Sequence, residues 1–253
     1  MSPTDDVEIQ RQGHVLIMTL RREQKRNAVN RPLADALDAA LNLLDDDEDL
    51  YVGVLTGGVA CFSAGSDLSS RGDYVTERGG EYGIIRRRRR KPLLAAVEGV
   101  ALGGGLEIVL ACDIVVAATN ARFGLPEVQR GVLPTCGALF RALHALPPNI
   151  ARELVLGGEP MPADRAHMLG LINQLAKPGE VLEQAVVLAE RIAKNAPLSV
   201  QASLAAMNEL LASGDDAGWQ ATGNAMNTIK GTNDVEEGIR AFFEKRAPLW
   251  TSS

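Results

Sequence analysis

Apolar residues along this chain follow two rhythms, and the change from one to the other predicts its organisation. His14 to Leu20 is a short apolar run with β-branched residues and reads as a strand. Asn30 is placed to cap a helix with Pro32 in its first turn, and Leu33, Leu37, Leu41 and Leu44 then recur at helical spacing. The acidic run Asp45 to Asp49 ends that helix as a solvated turn. Tyr51 to Leu55, Leu94 to Val97 and Ile114 to Ala117 read as further strands; the first two are closed by Thr56-Gly57-Gly58 and Glu98-Gly99. Strands alternate with helices to about residue 140, and only helical patterns follow. Pro147-Pro148-Asn149 opens one helix and Pro162 another that ends before Gly170. Val181 to Ala193 carries Ala185, Leu188, Ala189 and Ile192 on one face, and Ser199 to Leu211 and Val235 to Lys245 come after it. No linker separates the α/β part from the helical part, and no clear internal repeat is visible.

Composition narrows the class. At 253 residues the chain buries a large core, and 46% hydrophobic with 23% charged residues is ordinary for a globular domain. Aromatics are only 4%, so Ala, Val, Leu and Ile must build that core. A net charge of −6 argues against a general nucleic-acid binder, while a local cluster of Lys and Arg would still serve a small anionic substrate. Cys61, Cys112 and Cys136 are widely spaced and show no disulfide framework. Met1 to Gln10 is acidic and lacks the apolar stretch of a signal peptide, and the best apolar run, Ile108 to Ala118, is cut by Asp113. The expectation is a cytoplasmic protein that neither crosses nor binds a membrane.

Three segments could carry chemistry. Ala60 to Leu68 (ACFSAGSDL) follows a strand, and its small residues allow close approach of a ligand to the backbone. Taken alone it reads as a strand-to-helix turn, with Asp67 capping the next helix. Gly99 to Glu107 (GVALGGGLE) places three glycines before a helical run, so free N–H groups stand at a positive helix end suited to an oxyanion. Glu107, in the first turn, serves either that chemistry or simply the helix dipole, and the two readings stand level. In Phe123 to Glu127 (FGLPE), Pro126 can start a helix and Glu127 can favour its N-terminus, which taken alone is a structural role. Together the segments offer two sets of exposed amides and two glutamates in apolar settings. A thioester enolate needs two N–H donors on its oxygen and a nearby acid–base pair; each such donor is worth about 2.7–4 kcal/mol in the transition state.

At these residues the chain resembles the enoyl-CoA hydratase (crotonase) family. Ser63-Ala64-Gly65-Ser66-Asp67-Leu68 resembles the family loop C/S-A-G-A-D-L. Lys91-Pro92 through Glu107 resembles K-P-x-x-A-A-V-x-G-x-A-x-G-G-G-x-E, and Ala121 to Gly131 resembles A-x-F-x-x-P-E-x-x-x-G. Lys25-Arg26-Asn27-Ala28 looks like the early N-A motif, and Ala241 to Arg246 like the terminal A-F-x-E-K-R. The likeness spans nearly the whole chain in order. It implies a spiral of β-β-α turns over residues 1–195 and a helical oligomerisation region over residues 196–253, assembled as a homotrimer or a dimer of trimers. It implies an oxyanion hole from the backbone N–H groups of Ser66 and Gly104, with Glu107 and Glu127 sharing the water chemistry: one activates water for C3, the other manages the proton at C2. The substrate is then an acyl-CoA, contacted by Lys25, Arg26, Ala28, Ala64, Asp67, Leu68, Thr135 and Lys245, with no separate cofactor and no metal.

There are two departures. Ser66 stands where Ala is commoner, which matters little to a backbone donor; Pro134-Thr135-Cys136-Gly137-Ala138 stands where many hydratases carry P-G-x-G-G, and there Thr135 and Ala138 bear on how water is held and on the reaction subtype. Residues 69–85 are expected to line the acyl pocket. The run Arg86 to Arg90 is expected to lie in a helix and spread its charges over a solvated face, ahead of a contact to coenzyme A phosphates. His14, His144 and His167 show no ligand spacing; Cys61 and Cys136 are read as apolar fillers, and Asp113 as structural. The rival readings are another reaction on the same scaffold (isomerisation, decarboxylation or a specialised dehydration) and a non-catalytic acyl-CoA-binding protein, which would have no need of both glutamates.

Overall fold

In a computed structural model of the protein, residues 6–70 and 74–251 are described. The chain opens with a hairpin of β1 (Val7–Gln12) and β2 (Val15–Leu20). Helix α1 (Arg31–Asp46) follows, with Asn30 Oδ1 accepting the Leu33 N–H at 3.1 Å as its N-cap. Its leucines at 33, 37, 41 and 44 are buried, as their spacing predicts. At the other end, buried Lys91 donates to the carbonyls of Leu44 (2.8 Å) and Asp47 (2.6 Å), which satisfies helix-end acceptors that would otherwise be orphaned.

The chain then winds through repeated β-β-α turns. Strand β3 (Val52–Thr56) is followed by two short strands, β4 (Val75–Thr76) and β5 (Gly80–Glu81). The next turn is β6 (Leu93–Val97), β7 (Val100–Leu102) and α2 (Gly104–Leu110). The one after is β8 (Ile114–Ala118), β9 (Arg122–Gly124) and a 3-10 helix, Pro126–Arg130. The first strand of each turn joins one sheet and the second joins another. Strands β2, β3, β6 and β8 pair in parallel, while β7 and β9 pair in a smaller sheet. Parallel bridges from Val29 to Ser66 and from Ser63 to Ala101 extend that second layer through the early loops. This is the expected spiral. Strands β3 and β6 are buried throughout, the mark of a parallel sheet covered on both faces.

The remaining elements are α3 (Ala138–Ala145), α4 (Pro148–Gly157), β10 (Met161–Pro162), α5 (Ala163–Met168), β11 (Gln174–Ala176), α6 (Val181–Ala193), α7 (Pro197–Ala212), α8 (Asp215–Ile229) and α9 (Asn233–Glu244). Helix α6 packs across β2, β3, β6 and β8 through Ala185, Val186 and Ala189. Helix α7 leaves Leu198, Met207, Leu210 and Leu211 exposed.

Three sequence expectations are corrected. Residues beyond 140 are not only helical: β10 extends the small sheet and β11 forms an edge of the large one. Both are too short, at two and three residues, to leave a periodic signal. Asp67 caps no helix; the chain turns there, and its Oδ1 accepts from the Ser69 N–H (3.0 Å) and hydroxyl (2.5 Å) while Arg22 pairs with it at 2.7 Å. Arg86 to Arg90 form no helix and are not one solvated face. Arg87 is buried against Asp38 (2.6 Å) and Asp45 (3.0 Å). Arg89 makes a bidentate pair with Asp113 (2.6 and 2.9 Å), which also accepts the Leu93 N–H. A turn followed by extended chain sends alternate arginines inward, where only paired charges are tolerable. Asp113 is structural, as expected.

Candidate active site

The loop from Cys61 to Ser66 is built by Asn27. This asparagine is fully buried at a left-handed φ of 51°. Its Nδ2 donates to the carbonyls of Gly57 (2.9 Å), Cys61 (2.9 Å) and Phe62 (3.1 Å), and its Oδ1 accepts the Arg22 N–H at 2.9 Å. Ser63 donates its hydroxyl to the Asn27 carbonyl at 2.8 Å, and the Ala64 N–H donates to the Arg26 carbonyl at 2.9 Å. Gly65, at φ +95°, lets the loop press on the start of α2: a β-carbon there would lie 2.8 Å from the Leu102 oxygen and 3.0 Å from the Gly104 nitrogen. Ser66 and Gly104 are thereby brought together. Among the described residues neither N–H finds an acceptor. At Gly104 this follows from its place at the start of a helix, where first-turn N–H groups have no partner.

Glu107 projects from the first turn of α2 into the interior and is 2% exposed. Its Oε1 accepts the N–H groups of Cys136 (2.7 Å) and Ala138 (3.1 Å), so the chain entering α3 holds the carboxyl. Glu127 comes from the 3-10 helix that Pro126 starts. Its Oε1 lies 3.0 Å from where a β-carbon on Gly103 would stand, and its Oε2 is buried with no partner among the described residues. Glu127 thus stands beside the turn that leads into α2, close enough to Glu107 for its charge to bear on that carboxyl. Burial pushes Glu107 up to about 8, with the neighbouring Glu127 charge adding to the effect. Burial likewise pushes Glu127 up to about 7. Such a pair shares protons near neutral pH, which suits one member to accept and the other to donate.

The structure thus joins Ser66, Gly104, Glu107 and Glu127, all read from the sequence. Ala64, half-buried, lies within the same loop, and half-buried Thr135 directly precedes Cys136. Ala28 is half-buried, and its N–H donates to the Lys25 carbonyl. Asp67 is committed to Arg22 and Ser69, and Leu68 is exposed at 38%. Lys25 and Arg26 are exposed on the segment that supports the 61–66 loop; Lys245 is exposed at the end of α9, the helix packed on the Glu127 turn. Cys61 and Cys136 are buried, as expected for fillers. Of the segment expected to line the acyl pocket, residues 71–73 lie outside those described. Two contributors escaped the sequence reading. Asn27 was visible as part of the N-A motif, but its role as the loop's internal scaffold was not. Tyr82 had no local signal: its hydroxyl meets the Ser66 hydroxyl at 2.6 Å across 16 positions.

Comparison with known proteins agrees with this geometry. A family model described as enoyl-CoA hydratase/isomerase matches residues 10–253. A mevalonyl-coenzyme A hydratase of Aspergillus fumigatus is 36% identical over 250 residues, spanning 95% of this chain and 92% of the relative. A 2,3-dehydroadipyl-CoA hydratase of Escherichia coli is 35% identical over 245 residues, spanning 95% and 96%. The crystal structure of a carnitinyl-CoA hydratase from Mycobacterium avium superposes with a TM-score of 0.93 at 39% identity, covering 99% of this chain and all (100%) of that one.

Proposed function

This chain belongs to the enoyl-CoA hydratase/isomerase family, and from that membership and its paired carboxyls we infer that it is an enoyl-CoA hydratase. It is a hydro-lyase that reversibly adds water to a 2-enoyl-CoA and gives a 3-hydroxyacyl-CoA. The observation that carries the reading is a buried carboxyl, Glu107, with a second, half-buried one, Glu127, near it at the turn that leads into the free helix-start amide of Gly104.

We propose the following roles. The thioester oxygen sits between the Ser66 and Gly104 N–H groups, which become stronger partners as the oxygen gains enolate charge. One carboxylate of the Glu107–Glu127 pair takes a proton from water as its oxygen bonds to C3; the electrons of the 2,3-bond move to the thioester oxygen. The other, protonated carboxyl delivers its proton to C2 as the enolate collapses, so the pair ends with the proton count it began with. The coenzyme A thioester is itself the substrate, and no cofactor is assigned. Lys25, Arg26 and Lys245 are the candidate contacts for its phosphates, with Arg88 and Arg90 behind them; Arg86, the third exposed member of the arginine run, is paired with Glu81. Exposed apolar residues on α7, with Leu249 and Trp250 near the C-terminus, support assembly as a trimer or a dimer of trimers. Among the described residues no helix is long and apolar enough to cross a membrane. Three widely spaced cysteines with no disulfide framework support our proposal of a cytoplasmic location.

The test is loss of conjugated thioester absorbance with crotonyl-CoA and longer 2-enoyl-CoAs. Glu107→Gln and Glu127→Gln should each slow hydration by about 10²–10⁴-fold while leaving the circular dichroism spectrum intact. Near-wild-type turnover in either folded variant removes that residue from the mechanism.

A further inference from the structure

Ser66 carries a hydroxyl where the resembling family loop more often has alanine, and a backbone donor has no use for one. The structure gives that hydroxyl a partner. Ser66 Oγ and Tyr82 Oη are 2.6 Å apart, and either can donate. Tyr82 is 3% exposed. Its ring also lies directly on Gly104: a β-carbon there would stand 2.6 Å from Oη, 2.8 Å from Cζ and 2.9 Å from Cε2. One phenol therefore touches both residues whose N–H groups are free. Burial pushes the phenol well above its usual range, so it stays a neutral hydroxyl.

The backbone is bent to place this ring. Tyr82 has φ +56°, a left-handed conformation that residues with a β-carbon avoid. It is held there by its N–H to the Tyr74 carbonyl (3.1 Å) and by the Gly83 N–H to the Gly80 carbonyl (3.1 Å). Gly83 packs so tightly on α1 that a β-carbon would lie 2.4 Å from the Ala34 oxygen. The turn is thus anchored to the core, and the phenol hydroxyl to the catalytic loop.

We propose that Tyr82 is a positioning residue: through the Ser66 hydroxyl and the Gly104 Cα it fixes the spacing of the two amides that hold the thioester oxygen. This rests on the reading of Ser66 and Gly104 as oxyanion donors. A clamp on their spacing matters most when the oxygen is charged and its bonds are shortest, so it acts on the transition state more than on bound substrate.

Tyr82→Phe keeps the ring and removes the hydroxyl; Ser66→Ala removes the other half of the same bond. Each should lower kcat for crotonyl-CoA by about 2- to 10-fold, the worth of one hydrogen bond, with little change in KM. Ser66→Ala deletes one bond of the phenol, and Tyr82→Phe deletes that bond and the one to Cys136, so the double variant should fall no further than Tyr82→Phe alone. Binding gives a second readout. Wild type should hold acetoacetyl-CoA, which can bind as an enolate, more tightly than saturated butyryl-CoA, and both variants should lose that preference in step with kcat. If wild type shows no preference, the oxyanion reading fails and the proposal falls with it. If wild type shows it and the folded variants keep it in full, the oxyanion reading stands and the role of Tyr82 is refuted. Multiplying losses in the double variant, or a raised KM at unchanged kcat, also refutes it, and would make the phenol a wall of the substrate pocket.

Discussion

The carbonyl oxygen of Arg130 lies 2.1 Å from the place a β-carbon on Gly238 would occupy. Helix α9 thus packs its backbone onto the end of the 3-10 helix that carries Glu127, and only glycine permits the contact. Gly238→Ala should push the two apart. Overpacking of this kind costs about 1–3 kcal/mol, and the displacement should also move the carboxyl. The expected result is a lower melting temperature together with a loss of crotonyl-CoA turnover much larger than the stability change explains. Full activity at reduced stability would show that α9 does not position Glu127.

The raised glutamates make both activity and stability depend on pH. With Glu107 near about 8 and Glu127 near about 7, the singly protonated pair is most populated between those values. Hydration should therefore follow a bell with its crest between about pH 7 and 8. The stability slope has a definite sign. Between an ordinary carboxylate value of about 4.3 and these raised values, the folded protein binds more protons than the unfolded chain. Stability from these groups is complete at low pH and declines as pH rises through that window. Glu107→Gln cannot ionise, so its denaturation midpoint should fall less than that of wild type between pH 6 and 8.5. Equal slopes would show that Glu107 is ionised throughout the range.

The arginine run offers an internal control. Arg89 and Asp113 form a bidentate pair in which both side chains are largely buried, whereas neighbouring Arg88 is exposed. Arg89→Ala leaves Asp113 inside without its counter-charge and should destabilise by about 3–5 kcal/mol. Arg88→Ala should stay within about 0.5 kcal/mol. Urea melts of the two variants give the comparison, and similar midpoints would mean that the buried pair is not holding the strand that starts at Leu93.

What could be read from the sequence was what local pattern encodes. The N-cap at Asn30, the leucine stripe of α1 and the glycine-led start of α2 are set by neighbouring residues, and all stand where the spacing put them. Glu107 and Glu127 were legible because each follows a helix-start signal and because the motifs around them resemble a known family. The misses share a cause. The arginine run looks like an exposed charged stretch because the partners of Arg87 and Arg89 lie 49, 42 and 24 residues away. Strand β1 alternates too many exposed polar residues to stand out, since it is a sheet edge. Tyr82 reaches the site from a left-handed turn, a conformation that no side-chain preference of tyrosine announces.

Lys245 tests the coenzyme end of the site. It is the left-handed C-cap of α9, exposed, and among the described residues its ammonium has no polar partner; Arg246 beside it is tied to Glu237 and Glu244 at 2.5 Å each. A free cation next to a helix packed on the Glu127 turn is suited to a phosphate. Lys245→Asn removes the charge and keeps a residue that tolerates the left-handed cap. A contact to a distant phosphate is made equally in ground and transition states, so the variant should raise KM for enoyl-CoA with little effect on kcat. Exposure limits the effect to about 2- to 5-fold, and salt should shrink it. The pantetheine thioester of the same acyl group lacks the nucleotide and should be indifferent to the change. Equal loss of kcat on both substrates would mean that Lys245 acts through the cap of α9, and the coenzyme assignment would then pass to Lys25 and Arg26.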